Sequence, residues 1–276
     1  SAGTATVTVT IGGGKYSQDF TIGKATPTLI WGSTLQELDY NGHQAIISAP
    51  DVTLVNSEKF EGTISYSYAV SGSDSYTPGL PTNAGTYTVK ASIAEQGNYT
   101  AAESTGGLTL TINRANQDAP AAPTAAAVMD TSVTLNTIEN AEYSMDGNTW
   151  QNSPEFTGLN PNQEYTFFVR LKGDANHNAS PSSSGTAITT SKTMLNGAVV
   201  TVTGTYTYNG AAIVPEAGSV TVELNGTTIS SDQYTISASS NINAGKATLT
   251  VTATDNGNYS GSASTTFTIN RAALTV

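Results

Sequence analysis

One sequence ending occurs three times in this chain and constrains its fold more than any other feature. It reads SAGTATVTVTIGGGKYSQDFTIGKA at 1–25, NAGTYTVKASIAEQGNYTAAESTGGLTLTINRA at 83–115 and NAGKATLTVTATDNGNYSGSASTTFTINRA at 243–272. Each copy alternates apolar or small residues with Thr or Lys, then has a turn rich in Gly and Asn before a second alternating run. The ending therefore predicts two antiparallel strands, and its recurrence predicts an array of similar modules.

The first copy stands alone at the start of the sequence. We expect residues 4–11 and 16–22 to pair as antiparallel strands, so that 1–24 form the C-terminal strands of an incomplete repeat. The apolar side of these strands comprises Val7, Val9, Ile11, Phe20 and Ile22. An isolated hairpin is marginal in water. We therefore expect a preceding half-repeat or a neighbouring molecule to cover this side.

Similarity upstream of the other two endings divides the rest of the chain. LDYNGHQAIISAPDVTL at 38–54 parallels YTYNGAAIVPEAGSVTVEL at 206–224. This similarity predicts one repeat at 25–115 and another at 193–276, which also includes the start of the next repeat. The residues between them, 116–192, begin with a Pro- and Ala-rich linker that cannot extend a sheet, and they form a different domain.

The middle domain has its own β signature. LNPNQEYTFFV at 159–169 has the spacing of a tyrosine corner, in which the Tyr165 hydroxyl bonds to backbone a few residues upstream. Tyr165, Phe167, Val169 and Leu171 alternate and should share one face of a strand. YSMDGNTW at 143–150 predicts a hairpin that turns at Asp-Gly, with Trp150 as a core aromatic residue.

These motifs resemble two known families. The middle domain resembles compact fibronectin type III domains of bacterial surface proteins, although it lacks the usual Trp on its second strand. The flanking repeats, with YNG, NAG, GNY and FTINRA, are similar to MBG-type bacterial Ig-like repeats. The resemblance implies an all-β chain of tandem Ig-like and fibronectin III-like β-sandwich modules arranged end to end. It also implies an extracellular location on the surface or cell wall of a bacterium, typically Gram-positive.

Composition excludes several classes of partner and chemistry. The net charge of −11 gives no attraction for phosphate backbones or anionic lipid, so we expect no nucleic-acid partner. We expect no membrane insertion in this segment, because no apolar run approaches about 18 residues. The absence of Cys excludes thiol catalysis, Cys-ligated zinc and disulfides, and it favours a bacterial exported protein.

No motif for catalysis or cofactor binding stands out. The only two His, His43 and His177, lie in different predicted modules, which disfavours a catalytic triad or a His metal site. The stretch DANHN at 174–178 lacks the Gly and the closing Glu of a calcium loop, so it predicts a polar loop at a sandwich tip. We therefore expect no enzyme, no cofactor and no metal site.

Two hypotheses for function remain, with a more remote third. The first is a stalk or spacer that presents a distal domain and whose partners are the neighbouring modules of the same chain. The second is an adhesive module that binds carbohydrate or a host protein, with Trp31 and Tyr40 as contact residues; the alternative for both aromatics is core or interface packing. The third is an accessory segment of a large extracellular glycoside hydrolase. A concave aromatic surface at 56–82 would favour binding, and a plain hairpin would favour the stalk.

Overall fold

The chain is all-β, as predicted. A computed structural model describes residues 1–274, and the regular structure within this range consists of 25 strands and three short 3-10 turns. The turns are Val55–Ser57, Ala217–Ser219 and Ser231–Gln233. The all-β structure follows from the alternation of apolar and polar residues. Successive side chains of a strand point to opposite faces, so this alternation places the apolar face of each strand on a core.

The N-terminal segment is a two-stranded antiparallel hairpin. Strands β1 (Gly3–Ile11) and β2 (Gly14–Ile22) pair in one continuous register, which confirms the predicted pairing. Their apolar side is open: Val7 is 51% exposed and Phe20 is 48% exposed. A hairpin without a second sheet has no core in which to bury these side chains.

Residues 25–115 contain eight strands. They are β3 (Thr28–Ile30), β4 (Leu35–Asp39), β5 (Asp51–Thr53), β6 (Ile64–Val70), β7 (Thr77–Pro78), β8 (Gly85–Ile93), β9 (Ala102–Glu103) and β10 (Leu108–Asn113). The larger sheet has the order β4-β10-β8-β6-β7, with β9 beside β8, and the smaller sheet pairs β3 with β5. Strand β4 runs parallel to the final strand, β10.

The repeated ending supplies much of the core of this first repeat. Alternate residues of β8 and β10 are buried: Tyr87, Val89, Ala91, Ile93, Leu108, Leu110 and Ile112. The smaller sheet contributes Leu29, which is fully buried. Two sheets thus enclose one core, the arrangement of an Ig-like sandwich.

The middle domain is a sandwich of two three-stranded sheets. Its strands are β11 (Ala125–Val128), β12 (Ser132–Leu135), β13 (Ala141–Ser144), β14 (Glu155–Thr157), β15 (Glu164–Leu171) and β16 (Thr186–Thr189). The sheets have the orders β11-β12-β14 and β13-β15-β16. The predicted tyrosine corner is confirmed, since the Tyr165 hydroxyl accepts the Asn160 N–H at 3.0 Å.

The prediction that Trp150 is a core aromatic of this domain is wrong. The core aromatics are Tyr143, Phe156 and Phe167, of which the two Phe rings lie 5.0 Å apart. Trp150 is half-buried on the outer side of the hairpin, where the Arg170 guanidinium lies 4.3 Å from its ring centroid. The cation lies over the face of the Trp150 ring, a favourable arrangement outside the core.

The turn of that hairpin is held by one carboxylate. Asp146 Oδ1 accepts the backbone N–H groups of Thr149 at 2.7 Å and Asn148 at 2.8 Å, and the Ser144 hydroxyl at 2.9 Å. These hydrogen bonds, the one from the Thr149 N–H above all, hold the pKa of Asp146 well below its usual range.

Residues 193–274 repeat the topology of the first repeat. The strands are β17 (Thr193–Met194), β18 (Val199–Val202), β19 (Tyr206–Thr207), β20 (Val220–Leu224), β21 (Thr227–Thr228), β22 (Tyr234–Ser239), β23 (Gly245–Ala253), β24 (Tyr259–Ser260) and β25 (Ser262–Asn270). The sheets have the orders β18-β20-β21 and β19-β25-β23-β22, and β17 pairs with β24. Strand β19 again runs parallel to the final strand, β25.

Contacts along the backbone divide the chain into two compact units. One unit comprises residues 1–118 with 172–180, and the other comprises 119–171 with 181–276. The loop at 172–180, which the sequence assigns to the middle domain, therefore groups with the first repeat. The module boundaries predicted from the sequence stay predictions.

Candidate functional site

The C-terminal end of the first repeat is built around its Tyr-Asn-Gly turn. The Tyr40 N–H donates to the Asn113 carbonyl at 2.9 Å and extends the parallel pairing of β4 with β10 by one residue. The Asn41 side chain then accepts the His43 N–H at 2.9 Å, while Gly42 adopts a φ of +79°. The turn thereby places Tyr40 and His43 at the end of the sandwich.

The polar loop at 172–180 is shaped by Asp174. One oxygen of this carboxylate accepts the backbone N–H groups of Asn176 and His177, both at 2.7 Å. The His177 Nδ1 lies 3.0 Å from both carboxylate oxygens. The hydrogen bond from His177, followed by that from the Asn176 N–H, lowers the pKa of Asp174. The carboxylate is thus engaged in organising a turn, in agreement with the predicted polar loop.

This loop pairs with the first repeat through backbone hydrogen bonds. The Ala115 N–H donates to the Asn176 carbonyl, and the Asn178 N–H donates to the Ala115 carbonyl, both at 2.9 Å. These bonds form a parallel bridge between Ala115 and His177. The loop therefore adds a short strand segment just beyond the last strand of the repeat.

Side chains extend the contact to neighbouring parts of the repeat. The Asn176 Oδ1 accepts the Ala84 N–H at 2.9 Å, and the Asn178 Nδ2 donates to the Arg114 carbonyl at 3.3 Å. The Tyr40 and His177 rings meet edge to face, with their centroids 5.2 Å apart at 88°. Asn83 also accepts a hydrogen bond from the Asn176 side chain at 3.2 Å. The repeat thus contacts the loop through a set that includes Tyr40, Ala84, Arg114 and Ala115. We call this set the first socket.

A second kind of joint, also made of backbone hydrogen bonds, connects each repeat to the chain segment that precedes it. The Ala25 N–H donates to the Asn98 carbonyl at 2.9 Å, and the Thr193 N–H donates to the Asn258 carbonyl at the same distance. In both repeats the incoming residue then pairs in parallel with the following Tyr, at position 99 or 259. The chain segment that precedes each repeat therefore pairs with the GNY turn of the repeated ending.

The linker before the last repeat is also fixed on its other side. The Ser191 N–H donates to the Met129 carbonyl at 2.9 Å, and the Thr193 hydroxyl donates to the Asp130 carboxylate at 2.8 Å. The Lys192 ammonium donates to the Asp255 carbonyl. Three consecutive linker residues thus hydrogen-bond to the modules on either side, which restrains the linker.

An open cleft adjoins the first socket. It has a volume of about 280 Å³, and Asp39, Tyr40, Asn41 and His43 line it together with apolar residues. One of the latter, Ile46, is 85% exposed. The cleft combines an aromatic ring with several hydrogen-bonding groups, the elements that a small polar ligand needs.

The two aromatics proposed as ligand contacts occupy different environments. Trp31 is 7% exposed and packs in the core beside Leu29, with its ring 6.4 Å from that of Tyr66. Its Nε1 has no hydrogen-bond partner among the described residues. Tyr40 is half-buried, and the two aromatics line separate clefts. Trp31 thus packs mainly in the core and touches its cleft at the edge, whereas Tyr40 is the more exposed of the two.

Within the segment at 56–82, residues 64–78 form a hairpin. Strand β6 pairs with β7 between Ser67 and Pro78 and between Tyr68 and Thr77. Tyr68 packs on the core, with its ring 5.5 Å from that of Tyr87. Phe60, in the same segment, lines an open cleft of about 240 Å³ together with Tyr99, so the criterion set from the sequence does not decide between the stalk and binding hypotheses.

Sequence reasoning missed the contribution of the loop to the first repeat. The sequence predicts Asn176 and His177 only as part of a polar loop at a sandwich tip, and the structure makes them the principal contacts of the first socket. The Asp-Ala-Asn-His spacing, typical of a side-chain-capped turn, was the available signal for a rigid loop. Nothing in the spacing indicated its partner.

Within residues 1–274, no three His, Asp or Glu side chains come together in a group that could hold a metal ion. In the same residues, no helix has the length and apolar character needed to cross a bilayer.

Comparison with known proteins gives weak likenesses. No protein-family model and no curated protein matches the chain. Among solved structures, it is similar to the chicken CNTN1 FN1-FN3 domains at 15% identity, covering 63% of this chain and 68% of that one with a TM-score of 0.23. It is also similar to the Bacteroides ovatus mixed-linkage glucan utilization locus SGBP-B, solved in complex with a mixed-linkage heptasaccharide. That match has 15% identity, covers 90% of this chain and 71% of that one, and has a TM-score of 0.21. TM-scores this low assign no function to the chain.

Proposed function

We propose that this chain is a structural stalk or spacer segment of a bacterial secreted or cell-surface protein and presents a distal domain. The observation that carries the proposal is the pair of joints at the ends of the repeats. The incoming chain pairs with the GNY turn, and the loop at 172–180 pairs with Ala115 at the opposite end. Joints made of backbone hydrogen bonds restrict bending more than a free linker does. Such restriction is what a spacer requires.

The finer assignment also belongs to this proposal. The flanking repeats are MBG-type bacterial Ig-like repeats, the chain is extracellular on a Gram-positive cell, and it carries no enzymatic activity. Its partners are neighbouring modules of the same protein. The recurrence of YNG, NAG, GNY and NRA, all of which lie at or beside joints in the first repeat, supports this assignment. If the distal domain were a glycoside hydrolase, the segment would serve as its spacer.

Small-angle X-ray scattering of the full chain tests the stalk. A nine-residue strand such as β8 spans about 30 Å at roughly 3.3 Å per residue. Three modules in line would thus extend about 90 Å and give a radius of gyration of about 26 Å or more. A compact globule of this length would give about 19 Å. A measured value near the compact figure would refute the stalk.

A second candidate function is the binding of a glycan at the cleft beside Tyr40. The specific observation in its favour is the combination of the Tyr40 ring with Asp39, Asn41 and His43 around about 280 Å³. A glycan array probed with the wild type, Tyr40→Ala and the exposed-tyrosine control Tyr16→Ala tests it. Binding that is lost in the Tyr40 variant alone would support this function. An array without signal for the wild type would contradict it.

A further inference from the structure

The end of the last repeat has the same local structure as the end that forms the first socket. Its Tyr208 N–H donates to the Asn270 carbonyl at 2.9 Å, as the Tyr40 N–H does to that of Asn113. In both repeats the next asparagine closes the turn by accepting a backbone N–H two residues on, at 2.9 Å. The two ends therefore present equivalent backbone positions.

The residues equivalent to the first socket line an open cleft in the last repeat. By the alignment of YNG, NAG and NRA, they are Tyr208, Ala244, Arg271 and Ala272. All four line a cleft of about 370 Å³, together with Ala273 and Leu274. Tyr208 is 40% exposed, and the N–H groups of Ala244 and Ala272 have no hydrogen-bond partner among residues 1–274. In the first repeat, the equivalent N–H groups, those of Ala84 and Ala115, donate hydrogen bonds to the loop.

We propose that this cleft, the second socket, docks an Asp-Ala-Asn-His-Asn type of loop from a further β-sandwich module. The asparagine side chain of that loop accepts the Ala244 N–H, its backbone pairs with Ala272, and its imidazole edge meets the Tyr208 ring. Each contact has its counterpart in the first socket. The proposal rests on the stalk function, because it names the partner through which the stalk continues.

The chemistry of the cleft favours such a loop over a second copy of this chain. The loop at 172–180 of any copy is already hydrogen-bonded to its own first repeat, through Ala84 and Ala115. To enter another socket it would have to give up those bonds. The occupant is therefore the corresponding loop of another module, with a carboxylate that shapes the turn and an asparagine that follows two residues later.

An extended chain tests the proposal. Residues 116–192 are appended a second time directly after Ala272, the position equivalent to Ala115, and amide exchange is followed by NMR. We expect the Ala244 amide to exchange about tenfold or more slowly than in the unextended chain, as expected for a newly formed hydrogen bond. The Ala84 amide serves as the internal reference, since its acceptor is unchanged. The Asn176→Ala change, made only in the appended copy, should restore the faster exchange at Ala244.

A second measurement does not depend on the folding of the appended module. A peptide of residues 172–180 is titrated into the full chain, with the Asn176→Ala peptide as its control. We expect the Tyr208 and Ala244 resonances to shift with the first peptide only. Unchanged Ala244 exchange together with unshifted resonances would overturn the second socket, and so would shifts caused by oligosaccharides and not by the peptide. Neither result would alter the radius of gyration on which the stalk is tested.

Discussion

Phe20 and Phe267 occupy the same place in two copies of the repeated ending, but their environments differ. Phe267 is 6% exposed and packs against Tyr206, with ring centroids 5.1 Å apart. Phe20 is 48% exposed in a hairpin that lacks a second sheet. The substitution of each by Ala is thus chemically identical and differs only in what surrounds the ring. Comparing Phe20→Ala with Phe267→Ala therefore shows how much a complete sandwich adds to the stabilising effect of this phenylalanine.

The two substitutions should change the free energy of unfolding of the last repeat by very different amounts. A core phenylalanine buries roughly 150–250 Å², and its replacement by Ala costs about 3–5 kcal/mol. A module of about 80 residues has a free energy of unfolding of roughly 4–12 kcal/mol. Phe267→Ala should therefore remove a large part of the stability of the last repeat. Phe20→Ala should change the stability of that repeat by less than about 0.5 kcal/mol, because its ring is 48% exposed in the separate N-terminal hairpin.

Urea titration with hydrogen-exchange mass spectrometry measures both effects. Peptides that cover β23 report the unfolding of the last repeat, since its buried residues Ala247, Leu249 and Val251 lie there. With a slope of about 1 kcal/mol per molar for a small module, Phe267→Ala should lower the midpoint by about 3 M or leave the repeat unfolded in water. A decrease of less than about 1 M, or an equal decrease for Phe20→Ala, would refute the assignment of these environments.

Three further predictions concern the loop and the turns. Asn176→Ala removes the acceptor of the Ala84 N–H, so the exchange of that amide should accelerate about tenfold; an unchanged rate would mean that the loop does not protect it. Gly173→Ala would place a Cβ 2.9 Å from a backbone nitrogen of the loop, so the Ala84 amide should again lose protection in the exchange measurement. Gly32→Ala is the control: its Cβ meets nothing within 4 Å, so the exchange of the Ala84 amide should stay unchanged. Because hydrogen bonds lower the pKa of Asp146, its stabilising effect is complete above the unfolded pKa of about 3.9 and is lost as the pH falls through the lower folded pKa. Urea titrations from pH 5 to pH 2 should accordingly show a smaller acid loss for Asp146→Asn than for the wild type, and equal losses would contradict this role.

Periodicity in the sequence was sufficient to predict the strands of the repeated ending. In β8 and β23, every second residue is apolar or small and is buried, so the pattern of side chains fixes both the strand and its inner face. The tyrosine corner was predictable for a similar reason, because it depends on a short local spacing that ends at Tyr165.

Features that depend on distant partners were not predictable in this way. The parallel pairing of β4 with β10 joins residues more than 70 positions apart, and alternation alone does not distinguish parallel from antiparallel neighbours. The sequence predicts Trp150 as the core aromatic in place of the missing Trp on the second strand, whereas the choice of Tyr143, Phe156 and Phe167 for that core is a property of the packed domain. The role of Asn176 in the first socket likewise required knowledge of which chain segment lies opposite it.

The parallel pairing of the early and final strands determines how each repeat responds to tension. A pull that separates β4 from β10 along their length acts in shear, so the hydrogen bonds across that pair resist together instead of opening one after another. The first repeat has five residue pairs in this patch, from Leu35 to Asp39, whereas the last repeat has two, at Tyr206 and Thr207. Under a shared force along the chain, the last repeat would therefore yield first, and its unfolded length would absorb extension before the first repeat is disrupted.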